Sequence, residues 1–184
     1  MIKTKDLQIV DSDKKQSADD FNNLVKPAIE KHCDAQIIHL EKLNGALPLM
    51  LDREFSTDAI CIKGGKMLGL SSRIQRGKNW QTFSIRAGRD SKKKTEFEKH
   101  LDAIKNKKYL PEITTQAFIT DDDLIIGIAR TIDVIDFITK YKPIPKHTGK
   151  SEVGQATFYP VSWQDFQNKG YRLKIIHENK KAVI

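Results

Sequence analysis

The stretch at 56–77, "STDAICIKGGKMLGLSSRIQRG", decides the fold. Two strand-like runs, "DAICIK" and "KMLGLSSRIQ", flank Gly64-Gly65, a dipeptide that accepts the positive φ of a two-residue hairpin turn. With the glycines as the turn, Lys63 pairs with Lys66, and counting outward sets Asp58 opposite Ser71. Side chains alternate along a strand, so Ser71, Arg73 and Gln75 share one face while Leu70, Ser72 and Ile74 share the other. An acid at a strand mouth then stands across from a polar row. That grouping suits a metal site on a nucleic acid, and it equally suits the solvated face of an antiparallel sheet or a simple turn residue.

Outward from the hairpin, "SADDFNNLVKPAIEKHCD" has Phe21, Leu24, Val25, Ala28 and Ile29 at helical spacing, with Ser17 and Asp20 in the form of a capping box. Pro27 predicts a kink or a fresh helix start. "AQIIHL" predicts a strand, and "EKLNGALPLMLDREFS" a loop punctuated by Gly and Pro. "NWQTFSIRAG" predicts a third strand of the meander. "SKKKTEFEKHLDAIKNKKY" predicts a helix burying Phe97, Leu101 and Ile104 behind a lysine-rich wet face. "EITTQAFITDDDLIIGIART" predicts a second hairpin with an acidic turn. "TIDVIDFITKY" predicts a helix capped by Thr131, and the chain closes with strand, helical turn and strand. The order predicts an α/β or α+β fold, a mixed central sheet flanked by helices. The expected parts are a flexible arm at 1–16, a core at 17–140 and a C-terminal extension at 141–184 packed on that core.

Charge points to the partner. Lys and Arg total 32 against 24 for Asp and Glu, a net +8 with a pI near 9.4. Such an excess favours a polyanion, because each phosphate contact releases counterions, although a lysine-rich surface also keeps a protein in solution. Arg73, Arg76, Lys78, Arg86 and Arg89 alternate with Trp80 and Phe83, the interleaving a nucleic-acid contact uses to hold phosphate and stack on bases. The two cysteines, Cys33 and Cys61, lack zinc spacing, and the five histidines are scattered without a His-x-x-x-His pair. "HTGKSE" has Ile144 where a phosphate-cradling loop needs glycine. The N-terminus lacks a signal-peptide core and no apolar run is of membrane-spanning length, so a cytoplasmic protein without a membrane partner is expected.

The order helix, strand, hairpin, helix, strand, with an Asp opening the second strand, resembles the core of the restriction-endonuclease-like, PD-(D/E)XK nucleases over roughly 17–120. In that family an acid-x-Lys pair follows on the third strand and the first helix often adds a Glu. The resemblance places the strand Asp at Asp58, the acid-x-Lys positions at Ser71 and Arg73, and the helix Glu at Glu30. It implies a Mg²⁺- or Mn²⁺-dependent DNA endonuclease, of a size that suits a phage or mobile element. Asp58 and Glu30 would be the metal acids, Arg73 would steady phosphate charge, and Gln75 would place metal or water. Ser71 and Arg73 depart from the family pattern. Arginine stays charged and cannot act as a base, and with a serine at the acid position a second carboxylate is expected from another element, Glu30, Asp52 or Glu54. Two further readings stay open: an inactive nucleic-acid-binding module on the same scaffold, and a protein-interaction or inhibitor protein. A homodimer is kept as an open expectation.

Overall fold

The structure, a computed structural model, describes residues 12, 15–89, 94–147 and 156–180, with Arg89 described by its backbone alone. The arm expected at 1–16 lies almost wholly outside these residues; Lys15 and Gln16 are already helical. Ser17 therefore sits inside the helix rather than at its cap. The helix runs through 15–20, widens into a π turn at Phe21–Val25, and continues as α1, Lys26–Cys33. The π turn answers Pro27: it places the ring within the first two positions of a new α segment, where a missing N–H costs little.

The hairpin of β2, Ala59–Lys63, and β3, Lys66–Arg76, has the expected register: Lys63 opposes Lys66 and Ala59 opposes Leu70. Gly64 and Gly65 take φ of 55° and 73° at the turn. β1, Gln36–His39, pairs antiparallel with β2. Between them the chain departs from the loop expectation, forming α2 at Ala46–Phe55. Pro48 falls in the first turn of that helix, where its absent N–H has no partner to lose.

The third strand also departs from expectation. β4, Thr82–Arg89, does not join the meander but pairs with β8, Ala156–Ser162, in a second sheet of order β4-β8-β7, where β7 is Lys146–His147. The place beside β3 goes to β5, Ile113–Ile119, in parallel pairing. β5 forms the expected acidic hairpin with β6, Asp123–Arg130, and β6 takes β9, Lys174–Asn179, on its outer side. The six-stranded mixed sheet has the order β1-β2-β3-β5-β6-β9. The C-terminal strands are thus members of both sheets. The fold is α+β.

Each face of the large sheet carries its own core. On one, Phe21, Val25, Ala28 and Ile29 pack on Ile37, Ala59, Cys61, Leu70 and Ile126. On the other, Phe118 and Ala129 meet β4, β8, α4 at Thr131–Tyr141 and α5 at Trp163–Asn168, through Phe83, Ile135, Trp163 and Phe166. Thr131 is buried against Thr114, Oγ1 to Oγ1 at 2.9 Å, instead of capping α4. α3, Glu96–Lys105, is capped by Thr95 in a box with Glu98. Its buried residues are His100 and Ala103, whereas Leu101 and Ile104, expected inside, are each 37% exposed. A fork of Arg76 Nε and Nη2 on the buried Asp20 carboxylate ties the first helix to the end of β3; the Arg76 side chain is half exposed, and the Nε bond is 2.8 Å. Among the described residues no helix is long and apolar enough to cross a membrane.

The two layers meet so closely at β6 that Gly127 leaves no room for a side chain: a Cβ there would enter the Trp163 ring. Gly127→Ala is expected to cost about 3 kcal/mol, the upper range for overpacking a core, while Gly64→Ala, with open space around it, costs about 1 kcal/mol through its positive φ alone. Urea unfolding of the two variants checks the order.

Candidate active site

The hairpin register puts Asp58 at the open end of β2, where its backbone N–H still donates to the Leu70 carbonyl at 2.8 Å. Beyond that bond the strand ends and the side chain turns into an open cleft of about 1140 Å³. Ser71, Ser72 and Arg73 of β3 line the floor with it. Asp52, Arg53 and Glu54 of α2 line one wall, and Arg86 of β4 with Glu96 and Lys99 of α3 another. Asp58 and Arg73 therefore share one pocket.

The second acid comes from an unexpected element. Glu96 is the first residue of α3, and its Oε2 accepts from Arg73 Nη2 at 2.8 Å and from the Arg86 N–H at 3.3 Å. Both guanidiniums lie over the Phe158 ring, Arg73 at 4.9 Å from its centroid and Arg86 at 5.6 Å, within the reach of a cation–π contact. Behind Glu96, one helical turn on, His100 is buried. Burial lowers its pKa, with Glu96 only partly offsetting this, so the imidazole is neutral at pH 7.

The two carboxylates are tuned in opposite directions. Burial pushes Asp58 up to about 7, helped by the charges of Glu96 and Asp52; the Ser72 N–H, which donates to Asp58 Oδ2 at 2.6 Å, and Arg73 pull the other way. Burial would raise Glu96 too, but the charge of Arg73, the neighbouring His100 and the bonds from Arg73 and Arg86 outweigh it and hold Glu96 below the usual range. At neutral pH Glu96 is thus firmly ionised while Asp58 stands near its midpoint. On the other side of Asp58 a smaller cavity of about 140 Å³ is lined by Phe21, His39, Ser72 and Ile74. The Ser72 hydroxyl is buried and has no hydrogen-bond partner among the described residues.

Other expected site residues stand elsewhere. Glu30 accepts from the Ile37 N–H at 2.7 Å, lies 3.9 Å from Lys26, and does not line the cleft. It is a structural brace for β1, and Glu96 is the glutamate that lines the cleft with Asp58. Gln75 shares the face of Arg73 but lies beyond the cleft lining. Arg76 is committed to Asp20. Lys78 sits over the Trp80 ring at 4.3 Å, and Trp80 is 52% exposed, both on the connection between β3 and β4, outside the cleft. Arg86 lines the cleft, and the Arg89 side chain lies outside the described residues. Glu96 was missed because Phe97, Leu101 and Ile104 drew the buried stripe one residue off. The usable signal was "TEFE", a capping box that fixes Glu96 at the first helical position, with His100 and Ala103 at i+4 and i+7 on its face.

Among the described residues no group of three or more His, Cys, Asp or Glu converges as a metal cluster. Comparison of the chain with family models, with curated proteins and with solved structures gives no match.

The raised Asp58 fixes a pH dependence. An unfolded aspartate titrates near about 3.9, so between roughly pH 4 and 7 the native state keeps a proton that the unfolded chain has lost. Stability from this group is therefore full below the unfolded value and is lost as pH rises towards about 7. Asp58→Asn removes the loss: its melting temperature should match wild type near pH 4 and exceed it by pH 8, with a slope from this group of at most about 1.4 kcal/mol per pH unit. A constant difference across that range would contradict the raised carboxyl.

Proposed function

We propose that this chain is a divalent-metal-dependent endonuclease acting on DNA, with its centre at Asp58 and Glu96. The observation that carries the reading is the single cleft that gathers Asp58, Glu96, Arg73 and Arg86, with Lys94, Lys99 and Lys108 around it. The hairpin that sets Asp58 at the mouth of β2, and the return of the chain through α3 to β5, support the reading.

The donors suit a hard cation. Mg²⁺ takes one or two carboxylates and completes its shell with water, and Asp52, Glu54 and Asp102 also line this cleft. Asp58 and Glu96 line the same cleft and each feels the other's surroundings electrostatically, Asp58 through Glu96 and both through Arg73. Asp58 and Glu96 would hold the ion, which when bound supplies an activated water and polarises a phosphoryl oxygen. The chain supplies the rest. Arg73 and Arg86, stacked on Phe158, present donors to a phosphate in the plane of the guanidinium. The net +8 draws the polyanion in.

One observation favours the second reading, a binding module without chemistry: Ser71 stands where a carboxylate would, and Glu96 is already neutralised by Arg73. Incubating supercoiled plasmid with Mg²⁺ or Mn²⁺ separates the two. The nuclease reading expects nicked or linear product whose rate falls by about 100-fold or more in Asp58→Ala and in Glu96→Gln, in line with the several kcal/mol a metal centre supplies. Salt-sensitive DNA binding without cleavage, unchanged by Asp58→Ala, selects the module. The absence of both cleavage and salt-sensitive binding selects a protein partner instead.

A further inference from the structure

The cleft contains a cation of its own. Arg73 donates to Glu96 at 2.8 Å, and the two side chains keep only 29% and 12% of their surface exposed, so solvent screens this pair weakly. The same guanidinium lowers the proton affinity of Asp58 as well as that of Glu96. One fixed positive charge thus acts on both carboxylates that, on the nuclease reading, hold the metal. Its Cζ lies 4.9 Å from the Phe158 centroid, which helps hold the guanidinium in the cleft floor, and Nη2 is the nitrogen that donates to Glu96.

We propose that Arg73 gates divalent-ion binding: it occupies Glu96 as an internal counter-cation until a substrate phosphate draws the guanidinium to itself. This rests on the metal-dependent reading above. A phosphate carries charge and paired oxygens that match the guanidinium fork, so it competes with the single Glu96 oxygen that Arg73 now holds. Once the guanidinium turns, Glu96 is left as an ionised carboxylate facing the cleft beside Asp58, and the cost of placing a dication there falls. The coupling is reciprocal: a phosphate that favours the ion is favoured by it in return. The site then loads its metal on nucleic acid, and binds it weakly alone.

The gate is tested without any cleavage assay. Ca²⁺, with Mn²⁺ as a second probe, is titrated into the nucleic-acid-free protein by calorimetry. Wild type should bind weakly, and Arg73→Gln at least about tenfold more tightly, as removal of a weakly screened charge requires. The gain should vanish in the double variant Arg73→Gln with Glu96→Gln. A measurement on wild type alone guards against a misfolded variant: Ca²⁺ should raise the affinity for a short phosphorothioate oligonucleotide, followed by fluorescence anisotropy. Divalent binding that Arg73→Gln leaves unchanged or weakens, with no Ca²⁺ effect on wild-type DNA affinity, overturns the gate and leaves the nuclease reading standing. No divalent binding by either protein, with or without DNA, removes both.

Discussion

β3 and β5 lie side by side in the same direction, Leu70 against Ile113 through Arg76 against Ile119, and a parallel pair cannot be closed by a tight turn. The chain between them has to leave the sheet, cross a face and return. That crossover is residues 77–112, and it carries β4 and α3. β4, denied a place beside β3, lies over the sheet and takes β8 as its partner, which draws the C-terminal segment into the structure. α3 packs mainly on β4, and its N-terminus comes down over the polar end of the face that bears Ser71 and Arg73. The cleft is the space left under this crossover. Its floor is the hairpin, and its walls are α3 and α2.

The chemistry of the cleft follows from what this arrangement buries. A helix that turned apolar residues inward would close the space, but α3 turns Glu96 and His100 inward with Ala103. An isolated carboxylate here would be costly, and the Arg73 bond and the Arg86 N–H offset that cost for Glu96. Asp58 receives one backbone N–H and a share of Arg73's field, too little to restore an ordinary carboxylate. The imbalance between the two acids is a property of the pair in its pocket. It marks a place where stability is sacrificed, as is usual where a protein holds charge ready for a ligand.

Local signals were sufficient along the hairpin. The Gly64-Gly65 turn has neighbours that can pair in only one register without moving Leu70 and Ile74 out of the core, so Asp58 opposite Ser71 could be counted off the chain. The β5-β6 hairpin and the closing strand, helix and strand were legible for the same reason: each is built from residues close in sequence. Where reasoning from the chain failed, the deciding contact was distant. Trp80 to Arg86 alternate like a meander strand, and nothing in that alternation says whether the partner is β3, just before it in the chain, or β8, far beyond it. Pro48 argues for a loop until one knows that it falls in a first helical turn.

What the amino-acid order determined by itself is therefore the pairing of β2 with β3, the two faces of β3, the basic charge and the presence of Asp58 at a strand mouth. These depend on turn geometry and period-two alternation, which act over a few residues. Only the tertiary structure decided that Glu96 joins Asp58 and Glu30 does not, that Arg73 is engaged, and that Arg76 is committed to Asp20. Those outcomes hang on which strand occupies the slot beside β3. That choice is settled by burying two faces of one sheet at once, a condition on the whole chain that no short window contains.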